Sequence, residues 1–512
     1  MVALAVTGSA AAHTSDDFAT HHRQVLPVIV VRGLTLGDLP QLATEGAVGL
    51  LVPNAGPRTS QAAAFAGMVR GILYNTRLPF PRDAVLIRVK QVNAIPAHGP
   101  AIVVGLPPAT SAPNDRRYPI AVLGHGYHGL LTSSLTRVPG LVSMADVART
   151  ALQTPHALDW QQDGGPVATS YRLEHQVEIA RGTTMPGSVL VLSILVLFAL
   201  FYPRGAPTAL GTAIAVNLVQ GWFPHGDVGP RTTLLGLCTV AGGAVGPSLF
   251  RKRTMLGLGL AGLLLAYALS MIARPSTLAL APIGPELTSR FFGVSNLLET
   301  WLLYPALLGA ALMTRRFGWV AFVATGMLAL ATIAENRLGA DGGGAIVVGV
   351  AFALLAVWLA GVPRRFALPA LGVAALVVLA LVNIDAAASG PDHLRGALNG
   401  GLSGVMNVAA NRVPLAYARM LEQWWLMIPG VAALVVGVAV TRVGRTRSDR
   451  AVAVALLGGL AASLIVNDSP GPVAIAGLTA VLAIENGFVF RTLTLPILRR
   501  LPLHPAPAPQ EP

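Results

Sequence analysis

Two rhythms of apolar and polar positions divide the chain. From Met1 to about Thr184 the apolar residues come in short runs separated by turns of Pro, Gly and Asn. Beyond Pro186 the runs lengthen to roughly the 20 residues that cross a bilayer. The short runs predict strands at Leu26–Val31, Ala84–Val89, Ala101–Gly105 and Tyr118–Leu123, and helical spacing predicts helices at Ser60–Ile72 and Ser143–Leu152. Strands and helices mixed in this way make residues 1–184 an α/β layer domain. Residues Met1–Ala12, apolar and closing on Ala10, Ala11 and Ala12, read as a residual secretory signal without its basic start.

The long runs predict a polytopic α-helical membrane domain of about eleven spans over residues 185–495, ahead of a Pro-rich tail at 496–512. The spans begin near Pro186, Ala206, Thr232, Thr254, Phe292, Trp319, Gly344, Ala367, Trp424, Arg450 and Pro472. With the first domain outside the cell, the loops assigned to the cytoplasm hold Arg204, Arg251 to Arg253, Arg315–Arg316, Arg364–Arg365, Arg442 to Arg450, and Arg491, Arg499 and Arg500 of the tail. All are basic, as the positive-inside rule asks. The opposite loops hold Asp227, Glu286, Glu335, Asp341, Asp385, Asp392 and Asp468; Asp449 and Glu485 depart from the pattern. The expected location is therefore a bacterial plasma membrane, with an extracytoplasmic amino-terminal domain and a cytoplasmic tail.

Composition agrees with this division: 53% of the 512 residues are hydrophobic and 12% charged, against about 25% charged in soluble domains. The net charge of +13 rests on arginines in short loops, with Lys90 and Lys252 the only lysines, which is a topology signal and not a nucleic-acid surface. One cysteine, Cys238, allows neither a disulfide framework nor a cysteine metal site.

Polar groups in the apolar half point to chemistry. "RFFGVSNLLETWLLYPALLGAAL" (290–312) opens a span with Arg290, Asn296 and Glu299. A charge near the bilayer centre costs at least about 2.5 kcal/mol, and such residues usually line a site. Asn296 and Glu299 are three apart and share a helix face. On the same external side lie Glu286, "ENRLGADGGG" (Glu335 to Gly344), Asn383, Asp385, Asn407, Asn411, Arg412 and "NDSPGP" (467–472). In the resulting outward cavity Arg290, Asn296, Arg337 and Arg412 bind an anionic group, since a guanidinium matches phosphate or carboxylate at two points. Glu299, Asp341 and Asp468 are the candidate catalytic bases, and no metal or cofactor is expected.

"LPVIVVRGLTLGDLPQLATEGAVGLLVP" (Leu26–Pro53) resembles the opening of the alkaline-phosphatase superfamily, and "YPIAVLGHGYHGLLTSSLTRVPGLVSMADVARTAL" (Tyr118–Leu152) is similar to its closing segment. Both halves together look like a group of uncharacterised bacterial multi-pass envelope proteins. The resemblance implies a phosphatase-like fold whose metal site is lost, because the position of the metal-binding Asp is Arg32. Thr59–Ser60 matches the place of the nucleophile and also suits a helix cap. His125 and His128 in "GHGYHG" fit a turn, and Asp146 fits a helix-packing position.

Three functions follow as expectations. An envelope enzyme would process or transfer a lipid-linked or phosphorylated substrate in the outward cavity; a transporter or flippase would move an anionic envelope precursor; a scaffold would use a non-catalytic phosphatase-like domain. Membrane lipids are partners in all three. Neither a nucleotide-binding loop nor a clear repeat after Pro186 is present.

Overall fold

The computed structural model describes residues 26–31, 33–52, 86–89, 99–106, 116–124, 126–151, 158–285, 292–335, 338–339, 342–363, 369, 372, 421, 424–443, 446–467 and 470–484. The chain separates into two compact units, one of Met1–Leu135 with Gly140–Ala168 and one of Thr136–Pro139 with Thr169–Pro512.

The first unit holds one mixed sheet. Its strands are β1 (Val28–Val31), β2 (Gly46–Val52), β3 (Leu86–Val89), β4 (Ala101–Gly105), β5 (Tyr118–Leu123), β6 (Gly129–Ser133), β7 (Leu141–Ser143) and β8 (Leu158–Gln161). Their order is β3-β1-β4-β5-β2-β6-β8, with β7 also beside β2. β1 runs parallel to β3 and β4, β5 runs antiparallel to β4 and β2, and β8 closes the path antiparallel to β6. Four of these strands lie where the short apolar runs predict them. β2, β6, β7 and β8 are additions, and the predicted helix at Ser60–Ile72 lies outside the described residues.

The central strands are apolar at every position because both faces of the sheet are covered. Val28, Val30, Ile102, Val104, Ile120 and Val122 form one core with Met144, Val147 and Ala151 of α2 (Met144–Ala151). Ile29, Val31, Val48, Val103 and Ala121 form another with Leu39 and Leu42 of α1 (Leu39–Ala43). Each such aliphatic side chain stabilises the fold by about 1.5–3 kcal/mol. Gly46 is required where β2 meets β5, since a Cβ there would overlap the Val122 carbonyl.

The second unit is helical: α3 (Pro166–Phe201), α4 (Ala206–Trp222), α5 (Val228–Leu249), α6 (Arg253–Ala273), α7 (Asn296–Ala334), α8 (Gly342–Ala360), α9 (Ile428–Val443), α10 (Arg447–Val466) and α11 (Pro470–Ile484). α3 runs without a break through the expected domain boundary at Thr184. Among the described residues six helical stretches are long and apolar enough to cross a membrane: Pro166–Phe201, Val228–Leu249, Arg253–Ala273, Asn296–Ala334, Gly343–Ala360 and Trp424–Arg442. Large apolar side chains such as Leu237, Leu249, Leu269, Val320 and Val431 face outward, as lipid-facing positions do and water-facing ones rarely do.

Among the described residues there are six candidate spans and not the expected eleven. The spans expected at Phe292 and Trp319 lie along α7, where Gly318, at φ 73°, breaks the helical geometry and separates one helix up to Phe317 from a second that starts at Trp319. α4, with 17 residues, is at the lower limit of a crossing, and α11 has 15 residues up to Ile484, where the described residues end. α10 opens with Arg447, Asp449 and Arg450, which shorten its apolar run. The stretch from Ala367 lies outside the described residues apart from Leu368's neighbour Pro369 and Gly372.

Candidate functional site

Glu299 is wholly buried in the first turn of α7. Ser295 caps this helix: its hydroxyl accepts from the Leu298 N–H at 3.2 Å, and its carbonyl accepts from the Glu299 N–H at 2.7 Å. The amino-terminal end of a helix carries a partial positive charge, so the local field favours a carboxylate there. Across the unit, Asn467 caps the carboxyl end of α10. Its side-chain amide donates to Glu299 Oε2 at 3.0 Å and to Ser463 Oγ at 2.7 Å, which uses both of its N–H bonds. Two helix ends thus meet at one buried acid.

A second contact gathers the neighbouring turns. The Val294 N–H donates to the Gly339 carbonyl at 3.0 Å, and Gly293, at φ 79°, leaves room for that carbonyl. The stretch before α7, the turn between α7 and α8, and the end of α10 are therefore neighbours. Of the predicted site residues, Glu299 is buried and Asn296 half-buried at the start of α7. Arg290, Arg337, Asp341, Arg412 and Asp468 lie outside the described residues, although Leu338 and Asn467 beside two of them belong to this meeting point.

A further polar cluster was not predicted. Between α6 and α7 the chain leaves the helix at Pro275–Leu280, a 3-10 stretch, and its residues 277–283 are buried. Irregular backbone at membrane depth needs partners supplied by protein. Asn217 of α4 supplies them to Ile283, donating to its carbonyl at 3.0 Å and accepting from its N–H at 2.7 Å. Thr184 donates to the Pro282 carbonyl at 2.6 Å. Arg231 of α5, 2% exposed, donates to the Leu280 carbonyl at 2.7 Å, to the Gln220 carbonyl at 3.2 Å and to Gln220 Oε1 at 3.4 Å. The signal for this cluster was present in "AVNLVQGW": Asn217 and Gln220 are three apart on one face of an apolar helix.

The first unit has its own buried acid. Asp146 in α2 accepts through Oδ2 from the Ser133 hydroxyl at 2.5 Å and from the Ser143 N–H at 3.1 Å. Burial pushes its carboxyl up to about 7, although those two bonds and Arg149 oppose the rise. The bonds pin the end of β6 to the start of α2. His128 is exposed, with its ring edge-on to Trp160 at 5.4 Å. Among the described residues no group of three His, Cys, Asp or Glu side chains comes together. Arg32, Thr59, Ser60 and His125 lie outside the described residues.

No known protein family, curated protein or solved structure matches the chain.

Proposed function

We propose that this multi-pass membrane protein belongs to a bacterial envelope and processes or transfers a lipid-linked or phosphorylated substrate at a polar site around Glu299. The observation that carries this reading is the Glu299–Asn467 bond, a carboxyl with 0% exposure held between two helix ends of an apolar unit. Ionisable groups inside apolar spans are rare, costly and usually part of a substrate or ion path. Glu299 would act as the base that takes a proton from an attacking group, with Asn467 fixing the carboxyl's orientation. Arg290, Arg337 and Arg412 would hold the anionic end of the substrate, and the sheet unit, with its phosphatase-like resemblance and Arg32 in place of a metal ligand, would guide substrate without catalysing.

The test is conversion of isoprenoid-phosphate-linked sugars by the purified chain in nanodiscs, followed by mass spectrometry. Product formed by wild type and lost in Glu299→Gln supports the reading; equal product from both removes Glu299 from the chemistry.

A transporter for an anionic envelope precursor is the second reading, favoured by the buried 3-10 stretch at Pro275–Leu280 that interrupts the α-helices between α6 and α7. Proteoliposomes separate the two readings, because transport moves the precursor to the other leaflet unchanged.

A further inference from the structure

We infer that Arg231, Arg274 and Thr277 form a binding site for a phosphate group at the end of the helical unit where α4 ends and α5 begins. This site uses different residues from the Glu299–Asn467 pair and does not depend on the role proposed for Glu299.

The guanidinium of Arg231 is only half used by the protein. Its Nε and Nη2 edge grips Gln220 and the Leu280 carbonyl, while Nη1 is buried and has no hydrogen-bond partner among the described residues. No carboxylate among the described residues pairs with this cation. A buried charge in that condition is strongly unfavourable unless something anionic or strongly polar meets it. The neighbouring Thr277 hydroxyl is likewise buried without a partner among the described residues. Thr277 packs on the same turn, since its carbonyl and methyl lie against Gly221, the residue after Gln220. Both unmet donors belong to residues that touch the last turn of α4, Arg231 at Gln220 and Thr277 at Gly221.

Arg274 adds a second cation at this place. It follows α6, donates from Nη1 to the Trp222 carbonyl at 2.9 Å and from Nε to Ser276 Oγ at 3.3 Å, and lies 5.9 Å from the Trp222 ring centre. Both arginines thus hold the last residues of α4, one through Gln220 and one through Trp222. Arg231 sits in the first turn of α5, whose helix dipole also favours an anion. Asp227, the cap residue, makes no side-chain cap bond. Gly229 and Pro230, which precede Arg231 in the first turn of α5, are exposed.

Two guanidinium groups and a hydroxyl suit a tetrahedral oxyanion, which accepts several charge-assisted bonds at once. The tryptophan at the helix end marks the depth at which phospholipid headgroups lie. The phosphate can belong to an anionic lipid headgroup or be free in solution, and the two sources can be told apart.

The full-length chain is purified and tested in two arms: calorimetric titration with inorganic phosphate in micelles, and retention of phosphatidylglycerol in phosphatidylcholine nanodiscs by native mass spectrometry. Thr277→Val keeps the shape and every Arg231 contact while removing the hydroxyl, and Arg274→Gln removes a half-buried charge, so both variants are expected to fold where Arg231→Gln fails. The expected result is binding in at least one arm, weakened about tenfold by Thr277→Val and at least as much by Arg274→Gln. Binding of inorganic phosphate assigns a free ion; retention of phosphatidylglycerol alone assigns a headgroup. Absence of binding in both arms overturns the inference, as does binding that neither variant weakens.

Discussion

Each of the two units wholly buries a carboxyl, Asp146 in one and Glu299 in the other, and they support it by opposite means. In the sheet unit Asp146 is met by Ser133 and Ser143, 13 and 3 residues away in sequence. In the helical unit Glu299 is met by Asn467, 168 residues away. Short-range support belongs to a loop that must fold back on one strand end. Long-range support appears where helices are already fixed by their own backbone bonds and side chains alone specify which ends meet. The same holds for Arg231 and Leu280, 49 residues apart, and for Asn217 and Ile283, 66 apart.

The largest expected effect lies in the sheet unit. Because the folded carboxyl of Asp146 titrates near 7 and the unfolded one near 3.8, the folded state holds the extra proton between those values. Stability of this unit therefore falls as pH rises from about 4 through about 7, by up to about 4 kcal/mol. Hydrogen exchange of peptides spanning 118–151, corrected for intrinsic rates, reads this change, and Asp146→Asn should flatten it. A profile that rises with pH would show that Asp146 is held as a stabilised carboxylate.

Asn217→Ala comes next. It strips both bonds from Ile283 and one from the Tyr267 hydroxyl, for a loss of about 3 kcal/mol. Faster exchange should appear at residues 275–285, remote in sequence from the change. Exchange that rises only within α4 would contradict the long-range support of the helical unit.

Ser133→Ala removes the shorter of the two side-chain bonds to Asp146 and should cost about 2 kcal/mol, confined to the end of β6 and the start of α2. Arg253→Ala sets the lower bound. Its 3.6 Å pair with Asp449 involves a side chain 46% exposed, so thermal unfolding should shift by less than about 1 kcal/mol. A large shift would mean that this pair holds α6 to α10.

Sequence pattern carried much of the sheet unit and less of the helical one. Tyr118–Leu123 and Ala101–Gly105 were legible as strands because their apolar residues run unbroken between turns. β8 was not, since Asp159, Trp160 and Gln161 are exposed and give no apolar signal. In the helical unit apolar length was legible, and so was the break in α7 at Gly318, which falls beside the span start expected at Trp319. Glu299 was legible as a costly polar residue, and its partner Asn467 was placed on the same external side in "NDSPGP", but the sequence did not single it out as the partner. Arg231 was passed over because a charge one position before a predicted span at Thr232 reads as an ordinary boundary residue, yet it is 2% exposed.

The central claim is that Glu299 is kept in the apolar unit for its chemistry and not for its packing. Glu299→Gln preserves shape and removes the charge, so it separates the two, provided unfolding temperature and conversion of an isoprenoid-phosphate-linked substrate are measured on the same nanodisc preparation. The expected result is an unfolding temperature equal to or above that of wild type, because a buried charge is no longer desolvated, together with loss of conversion. A lowered unfolding temperature with conversion intact would contradict it and leave Glu299 as a structural bond to Asn467.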